Sequence, residues 1–158
     1  MSAAPRNSAI AIAIAIATAL AVLCGSGSAA AQAIDYRSVS ERTIAFDSPS
    51  ENGRRVLILN TGTPVEVIST ETGWVRVREP GGSLNWVASA ALSSQRTLLV
   101  TAERTQVRRE AREDAPVVFE ATRNVVLQLL EIPHLGWVKV RHADGDEGYV
   151  RVSEVWGL

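Results

Sequence analysis

Little in this chain could anchor covalent or metal chemistry. Cys24 is the only cysteine among 158 residues, and it lies within the first 33. The remaining 158 − 33 = 125 residues therefore hold no thiol, which excludes a disulfide staple and a cysteine nucleophile. Histidine is nearly absent too. His134 and His142 are the only two, and two imidazoles without cysteine do not make a usual zinc set, although carboxylates could complete one. No G-x-S-x-G, H-E-x-x-H or P-loop follows residue 33. Lysine occurs once, as Lys139. All 17 acidic residues but only 15 of the 16 basic ones lie after residue 33, a net charge of 15 − 17 = −2. That is no field for nucleic acid, and no nucleic-acid partner or cofactor is expected.

Long apolar runs are also missing, with one exception near the start. Ile10 to Leu23 is broken only by Thr18, a run of 23 − 10 + 1 = 14 residues. A spanning helix needs roughly 20. Arg6 precedes the run, and small residues ending in Ala31-Gln32-Ala33 follow it. This is the layout of a secretory signal, with cleavage expected between Ala33 and Ile34. The expected location is periplasmic or secreted, with no stable membrane span after cleavage. Lipidation at Cys24 is the alternative, but Leu23 is larger than the small residue expected before a lipoprotein cysteine.

What the chain does have is a repeat. Gly73-Trp74-Val75-Arg76-Val77-Arg78 recurs as Gly136-Trp137-Val138-Lys139-Val140-Arg141, and 137 − 74 = 63. Trp86-Val87 recurs as Tyr149-Val150 at the same distance, 149 − 86 = 63. A fixed period of this size means one structural unit built twice.

The unit is all-β. Thr43–Phe46, Val56–Leu59, Val65–Ile68, the Trp74 segment and Asn85–Val87 are short apolar runs parted by turn chemistry such as Asp47–Gly53 and Pro80-Gly81-Gly82. Ser89–Leu92 reads as a helical turn. The same order returns after Ser93–Arg96, the one candidate linker. No sustained 3.6-residue apolar pattern follows residue 33, which indicates a sandwich or small barrel. The expected division is a signal peptide at 1–33, a first domain at 34–94 and a second at 95–158. Each is near the lower limit of independent stability. The apolar tail around Trp156 is expected to dock and help.

Strand alternation divides the side chains. Val75, Val77, Val138, Val140, Val150 and Val152 fall on one face as a core stripe. Trp74, Arg76, Arg78, Trp137, Lys139, Arg141, Tyr149 and Arg151 fall on the other. Aromatics sharing an outer face with cations suggest a binding surface, although such rings also close small cores. The candidate ligand-binding residues are Trp74, Trp86, Trp137, Tyr149, Arg76, Arg78, Arg141 and Arg151. The hairpin His142 to Glu147 lacks calcium-loop spacing and reads as a turn. Arg104, Arg108, Arg109 and Arg112 interleave with Glu103, Glu110, Glu113 and Asp114, which suggests a self-paired surface.

Gln106-Val107-Arg108, Gly136-Trp137-Val138-Lys139-Val140, Gly145 and Gly148-Tyr149-Val150 together resemble the bacterial SH3-like family. The first unit is more divergent. Ile44-Ala45 stands where that family has a V-R start, and Asn85-Trp86-Val87 replaces its glycine-aromatic step. The resemblance implies two tandem five-stranded barrels in the cell envelope. Similar domains help target cell-wall hydrolases to peptidoglycan, so it implies a non-catalytic binding protein for wall peptide or an envelope protein. Arg-to-carboxylate pairing suits the acids of wall peptides. Two alternatives stand beside this. One is an accessory subunit that docks a partner by strand addition. The remote one is a small hydrolase using His134 or His142.

Overall fold

Short β-branched runs between turns give short antiparallel strands. The computed structural model describes residues 34–158. The expected leader, Cys24 and the cleavage bond after Ala33 lie outside the described residues. In chain order the first half holds β1 (Tyr36–Val39), β2 (Thr43–Phe46), β3 (Arg55–Leu59), β4 (Pro64–Glu71), β5 (Trp74–Arg78), β6 (Leu84–Ala88) and β7 (Leu92–Ser93). The second half holds β8 (Thr97–Val100), β9 (Arg104–Arg108), β10 (Val117–Thr122), β11 (Val126–Leu129), β12 (Trp137–Arg141), β13 (Glu147–Arg151) and β14 (Val155–Trp156). A 3-10 turn precedes β7 at Ser89–Ala91, and another precedes β14 at Val152–Glu154. Among the described residues no helix is long and apolar enough to cross a membrane.

Each half forms one antiparallel sheet. The orders are β3-β2-β6-β5-β4-β1-β7 and β10-β9-β13-β12-β11-β8-β14. The fold is all-β and built twice, as the repeat implies. The valine stripe is the core of both halves. Val75, Val77 and Val87 lie in the first with Val39, Ala45, Leu59 and Val65. Val138, Val140 and Val150 lie in the second with Leu98, Val100, Val107 and Leu127. Val152, expected in the stripe, leaves the strand into the 3-10 turn and packs only partly buried against this core.

The arm and the tail meet at the junction of the halves. The tail pairs Val155 with Val100 and Trp156 with Leu99. Tyr36 meets Trp156 edge to face, with ring centroids 5.2 Å apart. The Arg96 guanidinium lies 5.4 Å from the Tyr36 centroid and donates from Nη2 to the Gly157 carbonyl at 2.8 Å. Thr97 Oγ1 donates to the Gly62 carbonyl at 2.7 Å, and Ser38 Oγ to Gln95 O at 2.6 Å. Gly157 sits at φ 112°, and a Cβ there would stand 2.9 Å from Thr97 O and 3.0 Å from Pro64. The linker is therefore a bracket that locks two small barrels together.

At one matched position the halves differ in how closely two strands approach. Gly148 lets β13 approach β9 so closely that a Cβ would lie 2.6 Å from Arg108 O and 2.7 Å from Val107 Cγ1. Its counterpart 63 residues earlier is Asn85, 4% exposed, whose Nδ2 has no hydrogen-bond partner among the described residues. An unpaired buried amide costs about 1–3 kcal/mol.

Two predictions follow from this packing. Asn85→Ala should raise the melting temperature, while Gly148→Ala should lower stability by about 1–3 kcal/mol; thermal melts read both. The second concerns Tyr36, whose phenol is held above its ordinary value of 10.0, first by burial and then by the charge of Glu66, against the opposing Arg96 and Arg78. A raised folded pKa contributes stability that is complete below the ordinary value and fades as pH rises through the folded one. The melting temperature should therefore fall above about pH 10, and Tyr36→Phe should remove the phenol's share of that fall.

Candidate functional site

Alternation places the outer-face residues as expected in β5. Val75 and Val77 are buried, Arg76 and Arg78 exposed, and Trp74 half-buried. In β12, Lys139 is half-buried and Arg141 exposed between buried valines. Trp137 departs from expectation. It is only 6% exposed. The physical reason is its cross-strand neighbour: Trp137 pairs in register with Arg151, whose guanidinium carbon stands 4.4 Å over the indole centroid. Stacking on the ring covers its outer face. The expectation of four outward rings is thus corrected at Trp137, and Arg151 is the lid over it.

Several of the expected cations already hold partners. Arg78 Nη1 lies 2.8 Å from Glu66 Oε2, its cross-strand neighbour. Arg141 Nε donates to Glu147 Oε1 at 2.8 Å, also across the ladder. Arg141 is the main reason the Glu147 carboxyl is held below the usual range. Lys139 is raised by its hydrogen bond to Glu131 at 3.0 Å. Arg76 has no ion-pair partner among the described residues and sits across from half-buried Trp86. Tyr149 occupies the matching place, between Lys139 and Arg108.

The structure draws together a group the sequence left scattered. A cleft of about 330 Å³ in the second half is walled by Trp137 and Arg151, by Arg104 and Arg108 of β9, and by Glu113 and Glu154. The loop between β9 and β10 folds back through Arg109 N to Pro116 O at 2.9 Å, with Ala115 buried beneath it. Arg108 steadies that loop from Nη1 to Ala115 O at 2.7 Å, and reaches Gln106 Oε1 from Nη2 at 2.7 Å. The fold-back delivers the Glu113 carboxylate onto the Arg151 guanidinium. Thr105, 2% exposed, donates to Glu154 at the cleft floor.

The alternating charges of this loop read as a self-paired surface. That holds for Arg112, gripped by Glu110 at 3.0 Å and Asp114 at 2.8 Å. Arg104, Arg108 and Glu113 instead line the cleft, and only the fold-back of the loop could have revealed it. Arg104 is taken by Glu120 at 3.3 Å, so Arg108 and Arg151 face Glu113 and Glu154 across the cleft with the charges balanced. A carboxylate can enter only by exchanging with Glu113 on Arg151, whose guanidinium offers a charge-assisted contact.

The first half does not reproduce this cleft. Trp74 lies opposite Ala88, where the second half has Arg151. It is met instead by Phe46, edge to face at 5.5 Å. His142 lies 3.0 Å from Asp144 and stacks at 5.6 Å on Phe119, while His134 bridges to Trp137 through backbone only. Among the described residues no group of three metal-ligating side chains converges.

No curated protein matches this sequence. Among solved structures, NlpC1 from Trichomonas vaginalis aligns at 16% identity and a TM-score of 0.37, over 81% of this chain and 47% of its own. NlpC2 from the same organism aligns at 14% and 0.37, over 79% and 48%. An NlpC/P60 family protein from Bacillus cereus aligns at 14% and 0.35, over 77% and 55%. This chain thus spans about half the length of each, and at these scores the likeness carries no argument about function. The family model for the bacterial SH3 domain matches twice, at residues 39–94 and 101–157. With both halves matched in order, this chain belongs to the bacterial SH3 domain family.

Proposed function

We propose that this protein is a non-catalytic binding protein of the cell envelope, exported by its leader. In this reading the second barrel recognises an acidic peptide of the cell wall at the Trp137–Arg151 cleft. The observation that carries it is the Arg151 guanidinium, stacked on Trp137 and held by a carboxylate that the chain itself supplies. Glu113 stands in for the ligand's carboxylate. Family membership supports a binding role, and the leader supports an extracytoplasmic one. Tyr149 and Lys139 extend the surface beside the cleft. In the first barrel, Trp74, Trp86, Arg76 and Arg78 form a separate face with a different cation pattern, and Arg141 lies at the far end of β12.

Retention on purified peptidoglycan tests this reading. Arg151→Ala should weaken binding roughly tenfold or more, the worth of one charge-assisted contact. Glu113→Gln should strengthen it, because the internal competitor loses its charge. Retention should also fall with added salt. Equal retention of wild type, Arg151→Ala and the double variant Trp86→Ala with Tyr149→Ala would overturn both the cleft and the aromatic surface as wall-binding elements.

A further inference from the structure

The two barrels act as internal controls for each other at their outer edges. β3 ends the first sheet and β10 ends the second. Both pair with the preceding strand through the same irregularity. Ala45 faces Leu57 and Phe46 faces Arg55, as Val107 faces Phe119 and Arg108 faces Val117. The matched outer-face pairs are then Ile44 with Ile58, and Gln106 with Glu120. In the second barrel Glu120 also takes Arg104 at 3.3 Å and Gln106 at 3.3 Å. A charge in the middle of an edge strand is a common device against strand pairing. The first barrel has an isoleucine there instead. Ile58 is 53% exposed and Val56 43% exposed, and no charge intervenes from Val56 to Leu59.

The space beside β3 follows its edge. Arg55, Val56, Leu57 and Ile58 share one depression of about 420 Å³, and Leu57, Ile58 and Leu59 share a second of about 400 Å³. Successive side chains of a strand point to opposite faces, so consecutive residues can share a depression only along the strand's edge. Leu99 and Val126 of the second barrel also line the second one.

We propose that β3 is a docking strand, and that an extended apolar segment of another protein adds to it as the next strand of the sheet. Main-chain hydrogen bonds to the free edge hold the segment, and its alternate side chains meet Ile58 and Val56. Charge decides the occupant. Arg55 of β3 and Arg42, next to Thr43 opposite Leu59, stand at the two ends of the apolar stretch, both exposed and neither with an ion-pair partner among the described residues. The Glu79 carboxylate that lines the second depression is taken up by the backbone amides of Gly81 and Ser83. A second copy would offer its own β3, where Arg54 and Arg55 precede an uncharged run and no carboxylate is present. The segment therefore belongs to a different protein and carries acidic residues at its flanks. This site is separate from the Trp137–Arg151 cleft and does not depend on it.

A displayed library of random octapeptides, panned against the leaderless protein, tests the proposal. Enriched peptides should alternate apolar residues and carry aspartate or glutamate at their flanks. Synthesised and labelled, they should bind Ile58→Glu and Val56→Glu about tenfold or more weakly, and bind Arg151→Ala as wild type. Circular dichroism confirms that the two edge variants, both at exposed positions, remain folded. No enrichment, or equal binding to Ile58→Glu, would overturn the proposal. So would a dimer in sedimentation that Ile58→Glu converts to monomer, because the occupant would then be a second copy.

Discussion

The arrangement depends on the grip of Arg96. Each barrel has a core of seven to nine buried residues, and units of about 60 residues bury too little surface to be more than marginal alone. Arg96 joins them by touching both ends of the described chain at once, the Tyr36 ring and the Gly157 carbonyl. The indole of Trp156 meets the same Tyr36 ring edge to face. The Arg96 Nε, buried and without a partner among the described residues, is a cost of this placement. Apolar packing of Tyr36 and Trp156 and the Nη2 hydrogen bond offset it. The junction also brings Leu59 of the first half and Leu99 of the second to the walls of one depression.

The architecture was legible because its causes are local. Val75, Val77, Val138 and Val140 alternate with polar residues, and period-two burial follows from backbone geometry. The repeat of Gly73-Trp74 at Gly136-Trp137 needs no structure to be seen. Partnerships across strands were not legible in the same way. Trp137 shares its strand face with Lys139 and Arg141, yet its burial is decided by Arg151 on β13, and only register reveals that. Glu113 was hidden for another reason: its neighbours Arg112 and Asp114 do pair with each other, so the local charge pattern gave no sign that one carboxylate turns inward. Register also differs by one between strands. Trp74 and Trp137 are 63 apart, whereas Phe46 and Arg108, matched through Trp86 and Tyr149, are 108 − 46 = 62 apart. A single period slides past that correspondence, which is how the contrast between Ile58 and Glu120 escaped notice.

Duplication followed by divergence has left two halves with one topology and different surface chemistry at a few matched positions. Where the second places Arg151, Gln106, Arg108 and Glu120, the first places Ala88, Ile44, Phe46 and Ile58. The polar set suits recognition of charged groups, the apolar set recognition of a chain. The shared core explains why this was tolerated: the exchanges fall on outer positions, and the valines beneath are unchanged in kind.

The seam below the first barrel's hairpin has a mechanical consequence. The β2–β3 hairpin joins the rest of its sheet through one registered pair, Phe46 with Trp86, next to the unpartnered amide of Asn85. The second hairpin hangs on an equally short pairing, but Gly148 lets it close tightly. Of the two hairpins, the first is thus the one whose opening costs less. A strand added on its free side would raise that cost, so amide protons along the seam would exchange more slowly although nothing touches them.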